Sequence, residues 1–199
     1  MLTDSQIERY SRQIVLPEVG GRGQERLLAA SVAIRGESSA AIFCAAHLAA
    51  AGVGELQIDG TDADLSLANA LALSARNGDC RIRVAPFERA DVTILVGEVD
   101  STRVAASRIL VWGRETTEGI LAVHFPADRA CVACLAALAC STKAGEVSAQ
   151  LLGALLATLG LRALLGIGAN DRANLLRVAP DAFFTASPFP SRPECPVCG

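Results

Sequence analysis

Residues Val32–Gly54 read V-A-I-R-G-E-S-S-A-A-I-F-C-A-A-H-L-A-A-A-G-V-G. The periodicity predicts a short apolar strand over Val32–Arg35, a tight turn at Gly36, and an alanine-rich helix to Ala51 that stops at Gly52. Strand, turn and helix in this order make the unit that rests a nucleotide's phosphates on a helix N-terminus. Such a unit draws on the pattern G-x-G-x-x-G, because glycine lets the backbone come close to phosphate. Here the six positions hold Gly36, Glu37, Ser38, Ser39, Ala40 and Ala41. Only the first glycine is kept, and Glu37 brings a carboxylate to a place meant for an anion. The scaffold reads as a nucleotide-binding one with a degraded phosphate loop.

Outward from this unit, strands continue to alternate with helices. On the N-terminal side, an extension over residues 3–30 reads as two helical pieces around Pro17 and Gly20–Gly21, with Asp4 or Ser5 as N-cap. On the C-terminal side come strand Glu55–Ile58, an acidic loop (Asp59, Asp62, Asp64) and a helix near Leu65–Ala75. Strands Arg81–Ala85 and Val92–Val96, a loop Gly97–Ser101, a helix Thr102–Ser107 and strands Ile109–Trp112 and Gly119–Phe125 follow. The rest reads as a cysteine-bearing segment Cys131–Ala139, a long apolar helix Glu146–Leu165, a closing strand Asn174–Val178 and a Pro/Cys-rich tail Ser187–Gly199. The alternation predicts an α/β fold: a mostly parallel sheet with helices on both faces. The apolar helix needs cover, from the sheet, from a second copy of the chain, or from both.

The 199 residues are 51% hydrophobic and 20% charged, with a net charge of −3. That composition excludes disorder and gives no sign of a nucleic-acid partner. Met1–Arg12 is polar, unlike a secretion signal, and Leu151–Gly168 carries Arg162 and several glycines, unlike a membrane span. With seven cysteines, this predicts a cytoplasmic protein with thiol or metal chemistry rather than disulfides. The only lysine is Lys143, against seventeen arginines.

Cys131-Val-Ala-Cys134 and Cys195-Pro-Val-Cys198 are two C-x-x-C knuckles. Four thiolates arranged so make a closed tetrahedral site for structural zinc. The pairs lie about sixty residues apart, so the metal would pin the C-terminus to the body rather than close a local ribbon. Redox dithiols or buried core cysteines are the other readings.

The accumulated motifs carry a resemblance. Arg9-Tyr10-Ser11-Arg12-Gln13-Ile14 is similar to an R-Y-x-R-Q-I opening, followed by Gly23-Gln24-Glu25 and by the Val32–Gly54 unit with its A-G-V-G close. The two C-x-x-C pairs and Cys140-Ser-Thr-Lys-Ala-Gly145, similar to C-x-x-A-G with one residue added, complete it. The chain resembles the ThiF/MoeB/HesA family, bacterial relatives of the E1 ubiquitin-activating enzymes. The resemblance spans nearly the whole chain with a shortened middle. It implies one Rossmann-like E1 domain over 1–199, with a zinc-stapled C-terminal segment.

The resemblance also implies adenylation, with Mg-ATP, of the C-terminal glycine of a ubiquitin-like β-grasp carrier, and in some members acyl or sulfur transfer through a cysteine. Against that chemistry the site is incomplete. Asn69 stands where an Asn-Leu-x-Arg stretch is expected, without the arginine, and the phosphate-binding lysine has no counterpart. Glu98, with Asp100 nearby, falls where a magnesium aspartate is expected, and Asp59 or Asp62 suits the ribose. Each missing charge-assisted phosphate contact is worth about 1.5–3 kcal/mol, so ATP/Mg2+ binding by this chain alone is doubtful.

The resemblance leaves two further candidates. Arg12 matches an arginine that family dimers carry towards the neighbouring subunit's ATP; alternatively it pairs on its own helix surface. Cys140 matches an acyl-accepting cysteine, with Lys143 to lower its pKa; alternatively it is a buried helix cysteine. Cys44 and Cys80 read as core fillers, His47 and His124 as structural histidines. Three functions remain open. The chain is a non-catalytic or partner-dependent subunit, pairing with itself or an active relative and a ThiS/MoaD-like sulfur carrier. Or it is an active adenylyltransferase of such a carrier, or a Rossmann-type binder of another nucleotide ligand.

Overall fold

The computed structural model describes residues 1–36, 38–59, 77–83, 89–98, 107–126, 132–137, 146–168, 173–179, 181, 184–189 and 195. The chain opens with three helices rather than two: α1 (Asp4–Arg9), α2 (Ser11–Ile14) and α3 (Gly20–Leu28). Neither Asp4 nor Ser5 caps α1. Thr3 does: its hydroxyl accepts from the Gln6 amide at 3.3 Å, and the Gln6 side chain accepts from the Thr3 amide at 3.1 Å. Two orphan helix donors are satisfied reciprocally, which a lone Asp4 or Ser5 cannot match.

Then come β1 (Ser31–Arg35), α4 (Ser39–Ala51), β2 (Glu55–Asp59), β3 (Arg81–Arg83), β4 (Ala90–Val96), β5 (Ser107–Thr116) and β6 (Gly119–Pro126). The described elements end with α5 (Val132–Ala137), α6 (Glu146–Leu165), β7 (Asn174–Val178) and β8 (Phe184–Pro188). The helix expected at Leu65–Ala75 and most of that at Thr102–Ser107 lie outside the described residues, while Ser107 itself opens β5. β8 is a strand where the sequence reads as tail.

All eight strands form one sheet in the order β3-β2-β1-β4-β5-β6-β7-β8. The pairings from β3 to β5 are parallel, and β6, β7 and β8 continue antiparallel. Strand alternation sends Val32, Ile34, Val92, Ile94 and Val111 to one face, where α4 and α6 cover them. Leu95, Leu110, Trp112, Val123 and Phe125 point to the other face, and Leu135 of α5 packs there. Helices thus lie on both faces. Helix α6 lies across α4 as well as the sheet: a Cβ added at Gly153 would stand 2.7 Å from the Ala40 carbonyl oxygen and from the Phe43 Cβ. Only glycine permits that approach. Among the described residues, no helix is long and apolar enough to cross a membrane.

The N-terminal helices are fastened by a buried polar knot. Tyr10 is 1% exposed; its hydroxyl donates to Asp79 at 3.0 Å and accepts from the Asn77 amide at 2.8 Å. Asn77 also donates to the Ala49 carbonyl at 2.8 Å, and Gln6 donates to Asp79 at 3.2 Å. Gly52 ends α4 in the left-handed conformation (φ +89°), and a side chain there would meet Gln24 and the Tyr10 ring. Burial above all raises the Tyr10 pKa, so the phenol remains a donor.

Tyr10→Phe leaves the buried Asn77 amide and Asp79 carboxylate each short of a partner. It is expected to lower unfolding free energy by about 1–3 kcal/mol, read from a denaturant titration. An unchanged midpoint would show that water replaces the hydroxyl.

Candidate functional site

From β1 the sheet runs to β2 on one side and to β4 on the other. The loops leaving β1 and β4 therefore part company, and the crevice between them is where α/β sheets hold ligands. Gly36 leaves β1 at φ +143°, and any Cβ there would strike the Val96 carbonyl oxygen at the end of β4. The one retained glycine is thus demanded by the close pass of two strand ends, with or without a phosphate.

Across the turn, Ser38 occupies the N-cap of α4 (φ −93°, ψ 156°) but makes no side-chain capping bond. Ser38 and Ser39 are exposed, whereas Ala40 and Ala41 are buried. The alanines therefore belong to the packing under α6, and the serines face outward at a helix end that favours negative charge. Asp59 ends β2 in register with Arg35, at the rim of the crevice, and Glu98 is exposed just past Gly97. The backbone brings Gly36, Asp59 and Glu98 to one end of the sheet. Glu37, Asp62, Asn69, Asp100, Cys131, Cys140, Lys143 and Cys198 lie outside the described residues.

Two strand arginines add cations that the motif search does not reach. Arg35 and Leu95 are partners across β1 and β4, and Leu95 and Trp112 across β4 and β5. Arg114 follows on the Trp112 face. Trp112 donates from Nε1 to the Gly97 carbonyl at 3.0 Å, and the Gly97 amide donates to the Gly113 carbonyl at 2.9 Å, which ties β5 to the crevice loop. Arg114 is 6% exposed. Its Nε is buried without a hydrogen-bond partner, and it makes no ion pair among the described residues. The signal for it was present: Leu110, Trp112 and Arg114 alternate, so a strand face that is apolar at two positions turns cationic at the third.

Arg12 lies on α2, exposed and without an ion pair or hydrogen bond among the described residues; the surface-pairing alternative finds no partner there. Cys134 and Cys195, each 3% exposed, share one buried cluster with Ala133 and Phe189, and Phe189 meets Phe125 edge-on with centroids 5.4 Å apart. One cysteine from each C-x-x-C pair is therefore in the same place. No group of three or more metal-binding side chains occurs among the described residues. Cys44 and Cys80 are buried core residues, and burial raises both thiols, Cys80 to about 11, which keeps them unreactive.

No protein-family model matches the chain. A SAMP-activating enzyme E1 of Haloferax volcanii is 30% identical over 245 residues, covering 100% of this chain and 91% of that protein. The chain belongs to the ThiF/MoeB/HesA family of E1-like proteins. A sulfur carrier protein adenylyltransferase of Thermus thermophilus is 30% identical over 250 residues, covering 99% of this chain and 92% of the relative. A crystal structure of E. coli MccB with succinimide superposes at a TM-score of 0.68 with 15% identity, covering 96% of this chain and 74% of that one, which shows a shared fold. Within the family motif, Tyr10 is consumed by the knot around Asp79, and Gln24 is buried with its Nε2 donating to the Ala51 carbonyl at 3.1 Å. Arg12, two residues on from Tyr10, is exposed.

Arg114→Met exchanges a buried cation, without an ion pair among the described residues, for an apolar chain of similar length. It is expected to stabilise the fold by roughly 1–3 kcal/mol, the scale on which buried charges yield to packed apolar residues. A lower midpoint in urea would show that the guanidinium is paired in solution.

Proposed function

We propose that this chain is a ThiF/MoeB/HesA-family subunit with a degraded phosphate loop. It takes part in activation or sulfur transfer of a ubiquitin-like β-grasp carrier as a non-catalytic or partner-dependent member of a homo- or heterodimer. The reading draws its substrate class from the relatives, a SAMP-activating enzyme and a sulfur carrier adenylyltransferase. The observation that carries it is Arg12. It stands exposed and unpaired among the described residues, two positions from the anchored Tyr10, in an N-terminal segment that also exposes Ile7, Val15 and Leu16. Apolar residues around a free guanidinium suit a subunit contact that delivers a cation in trans. The chain's own crevice, by contrast, has serine at the second glycine position and no lysine among the described residues.

Carrier-dependent ATP–pyrophosphate exchange tests this. The purified chain is expected to give none, whereas a complex with an active relative exchanges and loses at least about ten-fold in rate on Arg12→Ala, since trans arginines carry large effects on phosphoryl chemistry. Turnover by the chain alone would overturn the reading. One observation favours a second function, an adenylyltransferase with relocated cations: Arg114, buried beside the crevice loop. Under that reading the chain exchanges unaided, and Arg114→Met abolishes the exchange.

The same proposal assigns structural Zn2+ to Cys131, Cys134, Cys195 and Cys198. The fit rests on Cys134 and Cys195, which lie far apart in sequence and meet in one buried cluster. Zinc would supply a fold restraint, not a catalytic centre. Elemental analysis is expected to find one zinc per chain, and Cys134→Ser to lower the melting temperature. A metal-free protein of unaltered stability would remove the assignment.

A further inference from the structure

Away from the crevice, a groove of about 310 Å3 opens between α6 and the outer strands β6, β7 and β8. His124 of β6 lies in register with Val111 and with Asn174, and α6 lines the groove from its C-terminal half, Leu159 to Ala163, whereas Gly153 in its N-terminal half meets the first turn of α4 beside the crevice. The groove is therefore not an extension of the nucleotide crevice. Its polar lining is His124, Asn174 and Arg162; Leu159, Ile167 and Leu176 supply apolar wall, and no acidic side chain lines it among the described residues.

Each polar group has capacity to spare. Arg162 is exposed and its guanidinium makes no ion pair or hydrogen bond among the described residues. It folds over the turn that ends α6: a Cβ on Gly168 would stand 2.6 Å from its Nη2. His124, read from the sequence as a satisfied structural histidine, buries Nε2 without a hydrogen-bond partner. Burial first, and the Arg162 charge second, hold its pKa below the ordinary value, so the imidazole is neutral and leaves the positive charge to Arg162. A cation, an amide and a neutral imidazole on an apolar bed match an anion that carries hydrocarbon. Inorganic phosphate would leave the apolar wall unused.

We propose that this groove binds a small organic carboxylate. The carboxylate sits on the Arg162 guanidinium and the Asn174 amide, and a short hydrocarbon part rests on Leu159, Ile167 and Leu176. A volume near the lower end of the roughly 300–1,000 Å3 range of ligand pockets limits the bound part to amino-acid size. A free short-chain acid and the C-terminal carboxylate of a peptide present the same chemistry.

The test titrates the full chain with isovalerate, a free acid, and with N-acetyl-leucine, a mimic of a peptide terminus, each beside its neutral amide. Calorimetry gives affinity and the 15N shift of the His124 imidazole gives location. Both acids, or one of them, are expected to bind and move the His124 resonance, with the amides weaker by about ten-fold or more, as a charge-assisted guanidinium contact requires. Tighter binding of N-acetyl-leucine assigns the groove to a peptide terminus, and tighter isovalerate to a free acid. Arg162→Gln and Asn174→Ala alter exposed side chains, so an unchanged melting temperature certifies the fold. Arg162→Gln is expected to weaken the acids about ten-fold or more while leaving the amides alone. No binding at millimolar ligand, equal binding of acid and amide, or an Arg162→Gln protein that binds as before would each overturn the proposal. None of these readouts involves ATP or a carrier, so they stand apart from the fate of the E1 reading.

Discussion

The contact on which the rest of the architecture turns is the crossing of α6 over the first turn of α4. A side chain at Gly153 would lie 2.7 Å from the Ala40 carbonyl and 2.9 Å from the Cys44 amide. Two backbones therefore touch where most helix pairs are separated by side chains. This contact fixes where the amide end of α4 sits relative to the sheet, and hence the shape of the crevice at Gly36. It also gives Ala40 and Ala41 a reason that has nothing to do with nucleotide. They are the smallest chiral residues that can lie beneath α6, so their presence in place of glycine is a packing fact before it is a functional one. What distinguishes this loop chemically reduces to Ser38, where a backbone would otherwise approach phosphate unhindered, and to Glu37.

Much of the architecture was legible because it rests on residues with few alternatives. Gly36 and Gly52 bracket α4 by conformational demand, and the valine- and isoleucine-rich runs of β1 and β4 announce strands buried on both faces. β8 was illegible for the opposite reason: all five of its residues are exposed, so no alternation marks it, and it joins the sheet only because β7 offers an open edge. The cap of α1 was misread because Asp4 and Ser5 are good caps in isolation. The reciprocal bonds between Thr3 and Gln6 decide the matter one residue earlier. In the candidate site, the glycine pattern picked out Gly36 and the family resemblance Asp59 (or Asp62) and Glu98; Gly36, Asp59 and Glu98 lie at one end of the sheet. Neither could report which neighbours each side chain finds, and for that reason both passed over Arg114 and the orphaned nitrogen of His124.

Arg114 exposes a tension between stability and use. A guanidinium at 6% exposure with an unbonded Nε lies on a face otherwise filled by Leu110 and Trp112, where an apolar residue would pack without desolvating a charge. Consistency between local environment and residue type is the rule in a folded chain, and departures cluster at sites of function. Arg35 and Arg114 enter this end of the sheet from the strands that frame the crevice. Positive charge at this end of the sheet is thus supplied by β1 and β5. Charge supplied from strands is rigid, and rigid charge recognises a narrower set of anions than a mobile lysine does.

The position of Arg12 follows from the same economy. Tyr10 is locked by Asp79 and Asn77, so the four-residue helix α2 begins from a fixed point, two residues before Arg12. An arginine on a tethered arm offers a partner a pre-oriented fork, and little ordering entropy remains to oppose the contact. The knot therefore does two jobs with one set of hydrogen bonds: it holds the N-terminal helices to the end of α4 and to the segment before β3, and under the proposed function it fixes the base from which Arg12 meets a partner.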